Sequence, residues 1–94
     1  MRSYQPRILP AVVERIRHLP PDLKRGIREA IRAIADDPSR GEPLERELEG
    51  YLKYKVRRFR IVYRVDRTAG VVQILAVGHR RTVYEEVAEQ IRRR

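Results

Sequence analysis

The chain has 94 residues, 22 of them Lys or Arg and 13 Asp or Glu, giving a formal charge of +9. That length is one domain, residues 1–94, able to bury roughly 60–70% of its unfolded surface, and the charge points to nucleic acid, an acidic protein or an anionic surface as partner. Cysteine is absent, which excludes disulfide and thiolate–metal frameworks. No apolar run nears the ~20 residues that span a bilayer. Tyr4-Gln5-Pro6-Arg7 interrupts any signal-peptide core, and together these features suit a cytoplasmic protein with no membrane partner.

Ser3 to Leu9 reads as a short strand stopped by Pro10. Pro6, which has no N–H, restricts it to a sheet edge or to a position that donates no ladder bond. Ala11 to Leu19 places Val12, Ile16 and Leu19 at helical spacing, and Pro20-Pro21 ends that helix. Asp22 to Asp36 predicts the clearest helix. Its stripe is Leu23, Ile27, Ile31 and Ile34 with Ala30 alongside, bounded by Pro21 and Pro38. Two helices divided by a diproline predict an antiparallel hairpin. Ser39 to Gly50 is polar, carries Gly41 and Pro43, and reads as a loop. Three strands follow, Tyr51–Val56, Phe59–Val65 and Val71–Val77, with Asp66-Arg67-Thr68-Ala69-Gly70 turning between the last two. Thr82 to Arg93 returns to helical spacing through Val83, Val87 and Ile91, and its Arg92-Arg93-Arg94 tail is expected to fray. The expected fold class is α+β: a helical hairpin on one face of a mainly antiparallel four-stranded sheet, in the order β-α-α-β-β-β-α.

Apolar and basic residues alternate from Tyr51 to Val65, the two-residue period of a strand. With Arg57-Arg58 as a two-residue turn, Val56 faces Phe59, Lys55 faces Arg60 and Lys53 faces Val62. Leu52, Tyr54, Val56, Phe59, Ile61 and Tyr63 then share an apolar face. Lys53, Lys55, Arg60 and Arg64 share the other, expected to be densely cationic, and a one-residue slip would bury the cations. Lys55 opposite Arg60 is a like-charge pair, which destabilises a hairpin. Arg80 and Arg81, just past the next strand, bring a second cationic cluster to the sheet's end. Stability alone does not ask for this arrangement; it reads either as the solvated face of a basic protein or as a phosphate-binding face, and the second cluster at Arg80 and Arg81 adds weight to the phosphate reading.

Leu48-Glu49-Gly50, Lys53-Tyr54-Lys55-Val56, Phe59-Arg60-Ile61-Val62-Tyr63 and Gly78-His79-Arg80-Arg81-Thr82-Val83-Tyr84 follow one another in this order. Together they resemble the RelE/ParE toxin superfamily of bacterial toxin–antitoxin systems, and the element order matches from residue 4 to residue 92. The resemblance to RelE implies a metal-independent, ribosome-dependent endonuclease that cuts mRNA in the A site, the 2′-hydroxyl attacking the adjacent phosphate to leave a 2′,3′-cyclic end. It places Lys53, Lys55, Arg60, Arg80 and Tyr84 on the family's catalytic positions. Arg60 and Arg80 would hold the phosphate, Lys53 or Lys55 would be base or electrostatic aid, and Tyr84 would stack on a base or assist proton transfer. Arg57, Arg58, Arg64 and Arg81 are expected to bind RNA. No cofactor or metal is implied; the partners implied are a cognate antitoxin and mRNA on the ribosome.

The chain departs from the family pattern in two places. Many relatives carry a Gly-Asp type turn where Arg57-Arg58 stands, which predicts a longer or differently shaped turn. Lys replaces the commoner Arg at 53 and 55, a choice that suits proton chemistry. Other residues read more simply. His79 reads as a loop residue beside the basic cluster, with general acid as the functional alternative, and His18 ends a helix. Tyr54 and Tyr63 read as core, and Asp36-Asp37 and Glu85-Glu86 as solvated pairs. The competing reading is a ParE-like toxin that poisons DNA gyrase without catalysis, and retention of Lys53, Lys55, Arg60, Arg80 and Tyr84 favours the nuclease.

Overall fold

A computed structural model describes residues 3–93. The elements run β1 (Gln5–Ile8), α1 (Pro10–Arg17), α2 (Pro21–Asp36), β2 (Glu42–Pro43), β3 (Leu52–Val56), β4 (Phe59–Asp66), β5 (Val71–His79) and α3 (Val83–Arg92), with single 3₁₀ turns at Pro38–Arg40 and Arg46–Leu48. The sheet order is β1-β5-β4-β3-β2; β1 is parallel to β5 and the other pairs are antiparallel. The α+β class and the order of the long elements are those read from the sequence. The sheet has five strands rather than four, because Glu42 and Pro43 pair with Lys53 and Leu52 inside the segment expected to be loop. Two residues are too few to display a strand period, and Pro43 lies on the outer edge. Arg94, in the tail expected to fray, lies outside the described residues.

Prolines set several boundaries. Pro10 and Pro21 sit at the first helical position of α1 and α2, where a missing N–H costs nothing. In β1, Gln5 donates to the Gly70 carbonyl at 2.8 Å and Leu9 to that of Ile74 at 3.4 Å. Alternation therefore turns the Pro6 nitrogen to the open edge, where no donor is needed, as expected. It also blunts an edge that would otherwise invite another strand.

The β3–β4 register is the one the alternation predicts: Leu52 with Tyr63, Lys53 with Val62, Tyr54 with Ile61, Lys55 with Arg60 and Val56 with Phe59. Ile61 and Tyr63 join Val72, Ile74 and Val77 under α1 and α2, against Val12, Ile16, Ile27, Ile31 and Ile34. The opposite face, expected to be densely cationic, is so only in part. Val62 and Ala76 form a second core there with Val83, Val87 and Ala88 of α3 and with Leu48. Helix α3 needed somewhere to bury its stripe, and the apolar Val62 among the cations supplies it. A bulge at Leu75, between the Val62–Ala76 and Tyr63–Ile74 pairs, keeps both faces of β5 in phase with β4.

Tyr63 is fully buried, yet its hydroxyl is satisfied twice. It donates to the Pro38 carbonyl at 2.6 Å and accepts the Gly41 N–H at 2.9 Å. A Cβ at residue 41 would collide with that hydroxyl and come within 2.8 Å of the Lys53 carbonyl, so only glycine fits. This clamp seats the strand that delivers Glu42. Tyr63→Phe strands both backbone groups, and the expected loss is about 1–3 kcal/mol of unfolding free energy in urea. An unchanged midpoint and slope would show that the clamp is dispensable.

Candidate functional site

Strand alternation places Lys53, Lys55 and Arg60 on the sheet face that also carries α3, toward the Arg57-Arg58 turn. Helix α3 comes close to the strands at its first turn, where Val83 packs over Gly78, the partner of Arg60. A Cβ at 78 would lie 3.4 Å from the Val83 Cβ and Cγ2 atoms. The next residue is Tyr84, whose ring centroid lies 5.9 Å from the Lys53 ammonium, within cation–π range. From the other side, β2 sets Glu42 opposite Lys53, and the Glu42 carboxylate lies 3.5 Å from the Lys55 Nζ. That pair is exposed and contributes at most about 1 kcal/mol. Its larger effect is to offset the repulsion between Lys55 and Arg60.

The Arg60 guanidinium is folded back onto the turn. Its Nη1 donates to the Arg57 carbonyl at 3.0 Å and to the Phe59 carbonyl at 2.8 Å. The turn is two residues long, as the predicted register requires, and not lengthened as the departure from the family's Gly-Asp turn suggested. Arg57 takes a φ of 55°, a left-handed conformation that costs a non-glycine residue roughly 1–2 kcal/mol. The Arg58 carbonyl accepts the Arg80 N–H at 2.8 Å, so Arg80 is tethered beside the hairpin tip with its side chain exposed.

The remaining candidates separate. Arg57, Arg58 and Arg81 are exposed around the tip. Arg64 stands four residues from Arg60, roughly 13 Å along the strand, where it bonds Gln73 at 3.2 Å and lies 5.9 Å from the Tyr51 ring. His79 pairs with Phe59 on the face turned away from the cluster, its ring edge-on to the phenyl at 6.3 Å. Its Nδ1 accepts the Arg81 N–H at 3.2 Å. Among the described residues no three His, Cys, Asp or Glu side chains group as metal ligands.

Residues 8–84 match the family described as "ParE toxin of type II toxin-antitoxin system, parDE". The chain belongs to the RelE/ParE superfamily of type II toxins. It is 34% identical to Toxin RelG of Mycobacterium tuberculosis over 85 residues, 89% of this chain and 82% of that protein. Among solved structures, the RelBE2 toxin–antitoxin complex of the same organism matches with a TM-score of 0.76 and 31% identity, over 84% of this chain and 93% of that one. A free mutant of Escherichia coli RelE matches with a TM-score of 0.77 over 96% and 99% of the two chains; its 21% identity speaks to the fold alone.

In this RelE/ParE toxin, the sequence reading missed Glu42, which enters the cluster through a strand too short to detect. An acidic residue directly after Gly41, itself twelve residues before the Lys-x-Lys strand, was the one available signal. Tyr84 links the parts electrostatically. Burial pushes its phenol above the ordinary value; the Arg60 guanidinium beside it pulls down, and Glu42 adds to the rise. Burial also raises Tyr63, against the pull of the Gly41 N–H. The folded state therefore holds both protons more tightly than the unfolded chain. Their contribution to stability is complete below about pH 10, the unfolded value, and is lost as pH rises through the folded ones. In a tyrosine-resolved NMR titration Tyr84 should titrate above ~10. Arg60→Gln should raise it further and Glu42→Gln should lower it. A Tyr84 at or below the ordinary value would contradict the packing described.

Proposed function

We propose that this toxin is a ribosome-dependent mRNA endonuclease of the RelE kind, acting in the cytoplasm without a metal. The observation that carries the reading is the convergence of Lys53, Lys55, Arg60 and Tyr84 on one face, with Arg80 tethered next to it. In the reaction the ribose 2′-oxygen forms a bond to the adjacent phosphorus while the bond to the 5′-oxygen breaks. Negative charge builds on the non-bridging and leaving oxygens. Arg60 and Arg80 stabilise it, since preset cationic donors are worth most where charge develops. Lys53 or Lys55 serves the 2′-hydroxyl as base or electrostatic aid. Tyr84, partly buried and with a raised pKa, keeps its proton at neutral pH, so it can stack on a base or donate to the leaving oxygen.

The relatives named above supply further support. One bears the name Toxin RelG, and another was solved as a complex with its antitoxin. A cognate antitoxin is accordingly the proposed partner of this chain, with mRNA on the ribosome as its target. The matched family is described by ParE, which keeps gyrase poisoning as the alternative. The cationic cluster favours the nuclease, because a binding toxin has no need to hold like charges opposed across a hairpin.

Primer extension on a reporter mRNA after induction separates the two. Wild-type toxin should give A-site cuts ending in 2′,3′-cyclic phosphate. Arg60→Ala and Arg80→Ala should each lose about 10²–10³-fold in cleavage rate while remaining folded. Tyr84→Phe should be milder than Tyr84→Ala if stacking dominates, and equal to it if the hydroxyl moves a proton. Cleavage should persist in EDTA once ribosome integrity is protected. Growth arrest with intact mRNA and trapped gyrase–DNA complexes would transfer the assignment to the ParE-like activity.

A further inference from the structure

The Arg57-Arg58 turn does more than close a hairpin. Pairing of Val56 with Phe59 completes the β3–β4 ladder without the Arg57 carbonyl, whereas the Arg58 carbonyl serves the rung that follows Phe59–His79 in the β4–β5 ladder. Both carbonyls are occupied by the two arginines assigned above to phosphate, one through a side chain and one through the backbone. Arg57 O takes the Arg60 Nη1 at 3.0 Å, and Arg58 O takes the Arg80 backbone N–H at 2.8 Å. The third acceptor in the set, Phe59 O, holds the same Nη1 at 2.8 Å. We infer that this turn is a positioning element, whose backbone presets the Arg60 guanidinium for a phosphate beside the ladder rung that holds the Arg80 backbone, and that the left-handed conformation of Arg57 is what aims its carbonyl at Arg60. The inference rests on the endonuclease reading for its purpose, though not for its geometry.

The chemistry follows from the donor count. A guanidinium has five N–H donors in a rigid fork. The two on Arg60 Nη1 are spent on carbonyls, which fixes the plane of the group and leaves Nε and Nη2 for a ligand. Two neighbouring N–H groups on one edge are what a phosphate accepts side by side. A freely rotating arginine would have to be ordered at each encounter, whereas this one is ordered beforehand. Hairpin turns with positive φ at the first central residue match the strand twist. A turn of ordinary negative φ has the opposite hand and presents that carbonyl to the other side of the hairpin. Glycine would adopt the observed φ more readily than arginine, so the strain at Arg57 is not explained by the turn alone. The exposed Arg57 and Arg58 side chains remain free to meet RNA while their backbone holds the other two arginines.

NMR tests this without any assay of toxicity. In the wild-type protein, the Arg60 guanidinium should show hindered rotation with separate Nη signals, and the Arg80 amide should exchange slowly. Two variants then bracket the turn. Arg57→Gly keeps the left-handed backbone, so Arg60 should stay restrained and the Tyr84 titration unmoved. Arg57→Val disfavours that backbone; Arg60 should be released and Tyr84 should titrate higher, because a cation has left its side. Equal Tyr84 titrations in the two variants would overturn the inference. So would a freely rotating Arg60 in the wild-type protein, a measurement that holds even if the valine variant fails to fold. If the restraint is present and mRNA nevertheless stays intact on ribosomes, the positioning stands and the endonuclease reading alone falls.

Discussion

Strand β4 is buried from both sides, and the rest of the molecule depends on that. Val62 and Tyr63 are consecutive, fully inaccessible, and point to opposite faces. Val62 lies beneath α3, Tyr63 beneath α1 and α2. A slip of one residue would drive Lys53, Lys55 and Arg60 toward the helical hairpin at a cost of several kcal/mol per unpaired buried charge. The two cores therefore fix the register jointly, more firmly than a sheet packed on one side could. The same lock that satisfies the cores decides which cations stand opposite one another.

That geometry carries a local cost that the cores can absorb. Lys55 and Arg60 repel across the strands, and Arg57 sits in a left-handed conformation. Local strain of this kind persists where the surroundings over-determine it. Glu42 offsets part of the repulsion, and it arrives there through the Tyr63 hydroxyl, which fastens the Pro38–Gly41 segment to the sheet. One buried tyrosine thus serves the main core with its ring and the cationic site with its oxygen. The outer side of α2 is also basic, with Lys24, Arg28 and Arg32 at four-residue intervals. That surface lacks the aromatic partner and the converging strands of the β3–β4 face, which is why charge alone does not locate the site.

Much of this was legible in the sequence where a period runs long enough to be unambiguous. The alternation from Tyr51 to Val65 gave the hairpin register pair by pair, and the stripe of Leu23, Ile27, Ile31 and Ile34 gave α2. What escaped was short or long-range. Two paired residues at Glu42-Pro43 carry no period, and the contact of Glu42 with Lys55 depends on a clamp made by Tyr63, twenty-two residues from Gly41. The second core was concealed because Val62 sits alone among cations in β4, and its meaning appears only when α3 is laid on it. The turn was expected to be longer or differently shaped because Arg57-Arg58 stands where relatives carry a Gly-Asp type turn; it stays two residues long, with Arg57 held left-handed under the register that both cores impose.

The β3–β4 face, organised by this register, is the proposed seat for the phosphate of an RNA substrate. The most direct measurement is a titration of ¹⁵N-labelled toxin with a short RNA whose 2′-oxygens are methylated, so that it binds without being cut. Shifts should concentrate on Lys53, Lys55, Arg60, Arg80 and Tyr84, and binding should weaken steeply with salt. Shifts confined to Lys24, Arg28 and Arg32 on the far side of the molecule, or none at all, would contradict it.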